Sequence, residues 1–306
     1  MTKRLFRQRH PILFGLLILG TLFTVFWGGM TFFVFRAFST PQTNFFRPAR
    51  NGIGVIQLKG VIVTSEDVIK QLTAFREDPA VKAIIIRIDS PGGAVGASQE
   101  IFEEIKRTAR EKPVVASMAS VAASGGYYAA LGANQVFANP GTLTGSIGVI
   151  LEFANIKQIL DKIGYKAEVI KSGKNKDIGS FYRDMTPEER ALLQSLIDNV
   201  HKQFIQAVSD RRGLPIETVI PIADGRIFTG QQALEQKLID SLGNFTDAAR
   251  QAAKLAGLPQ DKLHLIYPRE NDFSILKILA GDNAQSLIAL PWAAAPAIMY
   301  KWGLSR

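Results

Sequence analysis

An uncharged, mostly apolar run from Ile12 to Phe35 constrains this chain more than any other feature. As a helix of roughly 24 residues it measures about 36 Å, enough to cross about 30 Å of hydrocarbon with some tilt. A buried core helix of that length would carry a polar face, and this one has none. A cleaved signal peptide has a shorter apolar stretch followed by small residues at a cleavage site, and no such site follows here. The run therefore predicts an uncleaved signal anchor over residues 12–35. A basic N-terminal stretch (1–11) precedes it and a tether rich in Ser, Thr, Pro, Gln and Asn (36–51) follows. Lys3, Arg4, Arg7 and Arg9 lie before the run, and Arg36, Arg47 and Arg50 after it. The bias predicts a single-pass protein with its N-terminus in the cytoplasm and its large domain on the far side.

These seven basic residues account for most of the net charge of +9. Basic patches interleaved with aromatic residues are missing from the remainder, so no nucleic-acid partner is expected. Beyond the anchor, 47% hydrophobic and 21% charged residues describe an ordinary globular domain. The chain has no cysteine, which excludes a thiol nucleophile, a zinc–thiolate centre and disulfides. Neither a metal nor a cofactor is expected.

From Gly52 the pattern is α/β. Gly54–Val63 reads as a strand or a bent pair of strands, and Ser65 as the cap of a helix with Glu66 and Asp67 in its first turn. Val81–Ile88 reads as a buried strand, Ala94–Arg110 as a helix and Val114–Met118 as a strand. Gly125–Leu131 is expected to be helical, followed by strands at Gln135–Ala138 and Ile147–Phe153, a helix at Asn155–Ile163 and a strand at Ala167–Lys171. Alternating strands and helices imply mostly parallel pairing. Thr186-Pro187-Glu188-Glu189 opens a long helix to about Arg212 with a capping box and proline at the first position, and Thr229–Gln232 repeats the box.

Three glycine-bearing turns interrupt this pattern: Asp89–Gly93, Ala122–Gly126 and Thr144–Gly148. In the second, Ser124 stands between small residues just before a helix. A serine there is either a helix cap or a nucleophile whose neighbour, Gly125, offers an N–H to the oxyanion formed on attack. Gly92 and Gly93 expose a second stretch of backbone, and one N–H from each turn makes a two-donor oxyanion hole. The Walker lysine is missing, so the paired glycines do not indicate nucleotide binding.

A nucleophilic serine needs a base. His10 precedes the anchor, His201 falls within the long helix and His264 in the C-terminal region, and none lies in a glycine turn. Lysine remains. Lys171, Lys174 and Lys176 cluster after an expected strand, and a lysine becomes a base when its environment favours the neutral amine. Residue chemistry alone leaves the three open.

The ordered set Asp-Ser-Pro-Gly-Gly, Ala-Ser-Gly-Gly-Tyr-Tyr, Thr-Gly-Ser-Ile-Gly-Val, Lys-Asp-Ile-Gly-Ser and Asp-Gly-Arg-Ile-Phe-Thr-Gly resembles the short, single-domain form of bacterial signal peptide peptidase A over about Gly52–Asn244. The resemblance implies a Clp-protease/crotonase-like fold of repeated ββα units over residues 52–257. It implies a serine endopeptidase with a Ser–Lys dyad of Ser124 and Lys176, Ser146 orienting the lysine, and Gly93 and Gly125 forming the oxyanion hole. It further implies substrates that are remnants of cleaved signal peptides and other apolar, membrane-derived peptides. A home in the bacterial inner membrane follows, with the catalytic domain outside the cytoplasm, as does a homo-oligomer whose neighbours share each dyad. A Ser–Lys protease acting on other membrane proteins, such as stomatin-like partners, and a non-catalytic membrane scaffold are the alternatives. The tail, 258–306, matches nothing in the family pattern. Its apolar, proline-broken stretch Ser286–Tyr300 is too short to span a bilayer. It fits packing on the core, contact with the membrane surface, or strand addition to the active-site groove as a tethered substrate mimic.

Overall fold

The computed structural model describes residues 11–38, 51–268 and 299–301. It divides at Ala49/Arg50 into two compact units. The first contains helix α1 (Pro11–Phe38). Among the described residues this is the one helix long and apolar enough to cross a membrane. Its threonine side chains bond back to the helix: the Thr21, Thr24 and Thr31 hydroxyls donate to the carbonyls of Leu17, Gly20 and Trp27 at 2.7–2.8 Å. An apolar solvent offers a hydroxyl no partner, and this arrangement needs none.

The second unit is α/β. Its first half runs β1 (Gly52–Lys59), α2 (Glu66–Glu77), β2 (Val81–Ser90), β3 (Gly92–Ala94), α3 (Val95–Thr108), β4 (Val114–Ala123) and α4 (Gly125–Ala130). Then come β5 (Gln135–Ala138), β6 (Leu143–Gly145), α5 (Lys157–Lys162), α6 (Pro187–Arg212) and α7 (Ile216–Val219). The last part comprises β7 (Ile227–Thr229), α8 (Gly230–Glu235), β8 (Ser241–Leu242), α9 (Phe245–Leu255), β9 (Leu265–Ile266) and β10 (Met299–Lys301). The main sheet has the order β7-β6-β4-β2-β1-β9, with β5 and β8 branching from β4. All its pairs are parallel except β6 with β7.

The strand β2 explains the layering. Ile84, Ile86 and Ile88 enter one core and Ala83 and Ile85 the other, the period-two alternation of a strand covered on both faces. Helix α9 covers the second face with Ala248, Ala249, Ala252 and Ala253, whose small side chains let it lie close on Ile53, Ile85 and Val115. The long strand β4 changes partner along its length. Val115–Met118 pair with β5, and Val121–Ala123 pair with β6. That switch brings the Thr144–Gly148 turn beside the Ala122–Gly126 turn.

Several expectations are corrected. Residues 147–153 form no strand beyond a single bridge residue at Ile150, and 167–171 form none. Ser65 precedes α2 without capping it; its hydroxyl bonds the Glu100 carboxylate instead. The capping boxes at Thr186/Glu189 and Thr229/Gln232 are both formed. A third, Asn244 with Asp247, opens α9. Beyond Gly257, β9 extends the main sheet beside β1, and β10 pairs antiparallel with β3.

Candidate active site

The C-terminal ends of β2, β4 and β6 lie side by side, at the edge where parallel α/β sheets place ligands. Ser90 pairs with Ala122, and Ala123 with Gly145, so the three glycine turns leave the sheet together. The Ser124 N–H donates to the Gly145 carbonyl at 2.8 Å, and the Ser124 carbonyl accepts from Tyr128 at 2.8 Å to start α4. These bonds hold Ser124 at φ 54°, ψ −116°, a conformation that favours glycine. Ser124 is 1% exposed, and its Oγ has no hydrogen-bond partner among the described residues. A strained backbone beneath a buried, unpartnered hydroxyl is a common mark of a functional serine. Its side chain makes no capping bond, so the helix-cap alternative does not describe it.

The glycines are required by contact. Gly92 donates its N–H to Ser90 Oγ at 3.1 Å, which shapes the first turn. The Gly92 carbonyl and the Ala94 N–H both bond Ile62, at 2.9 and 2.7 Å. Alternation along the strand turns the N–H and C=O of Gly93 to the opposite edge, the one β10 joins. A Cβ on Gly125 would meet Gly93 N at 3.1 Å and Ser98 Oγ at 2.5 Å, so the Gly93 backbone lies where a side chain at 125 would stand. Ser146 is also buried and held at positive φ (51°), its N–H on the Arg226 carbonyl at 2.8 Å. The structure thus brings together Ser124, Gly93, Gly125 and Ser146.

It does not join Lys176 to them within one chain. Lys176 is exposed in the turn 173–180, its N–H on the Gly173 carbonyl at 3.1 Å, and its amine makes no bond among the described residues. Of the other two lysines, Lys171 is engaged. Lys171 Nζ lies 2.5 Å from Asp177 Oδ1 and 3.1 Å from the Lys174 carbonyl, and Lys174 is near enough to Glu188 to hold its carboxyl down, behind the helix-end hydrogen bonds.

Sequence reasoning passed over Arg183. Its Nε donates to Asp177 Oδ2 at 2.9 Å, and its two terminal nitrogens grip Glu189 Oε1 and Oε2 at 2.5 and 2.8 Å. Hydrogen bonds from Arg183, then from the Thr186 backbone, pull Glu189 down to about 2. Bonds from Arg183 and then Lys171 hold Asp177 well below the usual carboxylate range. Arg183 stands six residues from each carboxylate, a spacing with no local structural meaning, so pattern reading had no signal to use. His201 Nε2 is buried without a hydrogen-bond partner among the described residues, none of which links it to this site.

Comparisons with known proteins place the chain in a family. Residues 106–259, half of the chain, match the family model of Peptidase family S49, and residues 55–144 match Clp protease. The Synechocystis sp. protein slr0021 is 45% identical over 78% of this chain and 87% of its own length. Serine protease SPPA, chloroplastic, of Arabidopsis thaliana is 37% identical over 74% of this chain, and Protease 4 of Salmonella typhi 38% over 76%. The chain spans 34% and 39% of the lengths of those two. On the family match over half of the chain and these identities, the chain belongs to peptidase family S49, the family of signal peptide peptidase A, and is a serine peptidase.

Proposed function

We propose that this chain is a membrane-anchored endopeptidase with Ser124 as nucleophile and Lys176 as general base. The carrying observation is the buried Ser124 Oγ, without a hydrogen-bond partner among the described residues, on the residue before Gly125, whose missing side chain would stand 3.1 Å from Gly93 N. In this reading Lys176 Nζ takes the proton from Ser124 Oγ as the oxygen attacks the substrate carbonyl. The Gly93 and Gly125 N–H groups hold the oxyanion. Lys176 then passes the proton to the leaving amine, and water cleaves the acyl-enzyme with the same lysine as base. Ser146 orients the lysine. Lys176 is favoured over Lys171, whose Nζ is held by Asp177 Oδ1 and the Lys174 carbonyl, and over Lys174 because it directly precedes the Asp-Ile-Gly-Ser segment, as in the family pattern.

The base comes from a neighbouring copy. Supporting this, Ile159, Ile163, Val169, Ile170, Phe181 and Leu192 around the lysine-bearing segment are all exposed, a patch typical of protein–protein contact. Burial of the amine on the apolar neighbour would favour its neutral form. The domain is read as repeated ββα units of the crotonase kind. The anchor is read as cytoplasm-to-outside, and the substrates as signal-peptide remnants and similar apolar peptides.

The tail is read as a tethered occupant of the substrate groove. Antiparallel pairing of Met299–Lys301 with Gly92–Ala94 sets Tyr300 opposite Gly93, the strand addition a peptide substrate would make. Most of the stretch Ser286–Tyr300 lies outside the described residues. One experiment tests the core of the reading: covalent labelling by a fluorophosphonate, with mapping of the modified residue. Label on Ser124, absent in Ser124→Ala, is expected; label on another serine sinks the assignment.

A further inference from the structure

We propose that Arg183 is a positioning residue that fixes the Lys176-bearing turn to the start of α6. This rests on Lys176 being the base. The turn is otherwise poorly anchored: Lys171, Ser172, Gly173, Lys174, Asn175 and Lys176 are all exposed. Arg183 supplies the missing frame. Beyond the carboxylate bonds above, it donates to the Asp177 carbonyl and the Asp184 carbonyl, both at 3.1 Å. One guanidinium therefore holds both the backbone and the side chain of the residue next to Lys176.

The other end of the clamp is rigid. Glu189 has a 4% exposed side chain, belongs to α6, and accepts the Thr186 N–H at 3.0 Å in the capping box. Lys171 closes the turn from the opposite side, through Asp177 and the Lys174 carbonyl. A planar fork is what this geometry uses. A lysine at 183 would carry the charge but could not bond Glu189 through two parallel N–H groups while also reaching Asp177. The bonds also occupy the one carboxylate adjacent in sequence to Lys176. A base displaced by about 1 Å loses on the order of a hundredfold in rate, so a frame of this kind acts on turnover rather than on binding.

The test uses the full-length protein in nanodiscs. Its variants are Arg183→Lys, Lys176→Met and the double change Arg183→Met with Glu189→Gln. The double variant avoids stranding a buried carboxylate, so it is expected to fold. Two readouts are taken: the rate of Ser124 labelling by a small fluorophosphonate, and kcat and KM on a peptide. In the double variant we expect labelling and kcat each to fall at least about tenfold, with KM within about twofold. Arg183→Lys should recover little of the loss, which separates the fork from mere charge. A double variant that labels and turns over like wild type while Lys176→Met is dead overturns the positioning role and leaves the base standing. So does a rise in KM with kcat unchanged. Wild-type labelling by Lys176→Met overturns the base assignment, and the positioning role with it.

Discussion

Ser124 stores its strain in the backbone, at φ 54°, ψ −116°. Glycine adopts that conformation freely, while other residues pay about 1–3 kcal/mol. Ser124→Gly should therefore abolish peptide hydrolysis and yet melt a few degrees above wild type, since roughly 1 kcal/mol moves Tm by about 2–4 °C in a domain of this size. Thermal unfolding of the two proteins decides; a lower Tm for Ser124→Gly would show that the site is not strained. The lysines separate in the same way. Lys176→Arg should remove activity, because a guanidinium keeps its proton. Lys171→Ala should reduce it only partly, because Lys171 contributes one of several bonds to Asp177. Steady-state hydrolysis by each variant reads the difference, and an active Lys176→Arg would move the base elsewhere.

Among the elements, β3 tolerates least. A Cβ on Gly93 would stand 2.0 Å from the Ile62 carbonyl oxygen, backbone against backbone, whereas one on Gly125 would first meet the Ser98 side chain, which can rotate. Gly93→Ala should lower the urea midpoint more than Gly125→Ala, by the equivalent of about 1–3 kcal/mol. Gly96→Ala, in open space on α3, should not lower it and should raise it slightly through helix propensity. Equal midpoints for the first two would contradict the packing. The clamp around Arg183 has its own pH signature. Both its carboxylates have folded values below their unfolded ones, so its contribution is complete above about pH 4.5 and is lost as pH falls toward about 2. Hydrogen exchange of residues 171–183 should be flat near neutrality after correction for intrinsic rates and should quicken below about pH 4. Acid-insensitive protection there would mean that the clamp does not hold the segment.

At the level of the whole molecule, the separation of Lys176 from Ser124 within one chain leads to a mixing experiment. Inactive Ser124→Ala and inactive Lys176→Ala proteins, combined and allowed to exchange subunits, should regain activity, because one kind of interface then holds both intact groups. A mixture that stays inactive after exchange, shown by mass measurement of hybrids, would argue for a dyad within one protomer. The tail has a second whole-molecule test. Removing residues after Gln285 should raise kcat/KM on small peptides by vacating the edge of β3. Unchanged kinetics would mean that the pairing of Tyr300 with Gly93 does not compete with substrate.

Local chemistry was legible wherever a few adjacent residues decide the outcome. The charge-free run Ile12–Phe35 specifies a helix because apolar surroundings leave the backbone no other way to bond itself. The Thr186/Glu189 and Thr229/Gln232 boxes specify helix starts for the same local reason. The three glycine turns were visible as junctions, and Ser124 as the serine within one of them. Composition could not show that Val169–Ile170 join no strand among the described residues and that Ile150 makes only a single bridge, since β-branched residues favour a sheet only where one is present. Nor could it show that β4 hands its edge from β5 to β6, which sets Ser146 beside Ser124. The meeting of Gly93 with Gly125, the grip of Arg183 on Asp177 and Glu189, and the return of Tyr300 to Gly93 all join residues that no sequence spacing relates. Tertiary structure alone decided them, because hydrogen bonds and steric contacts depend on distance in space, while the chain specifies directly only its neighbours along the backbone.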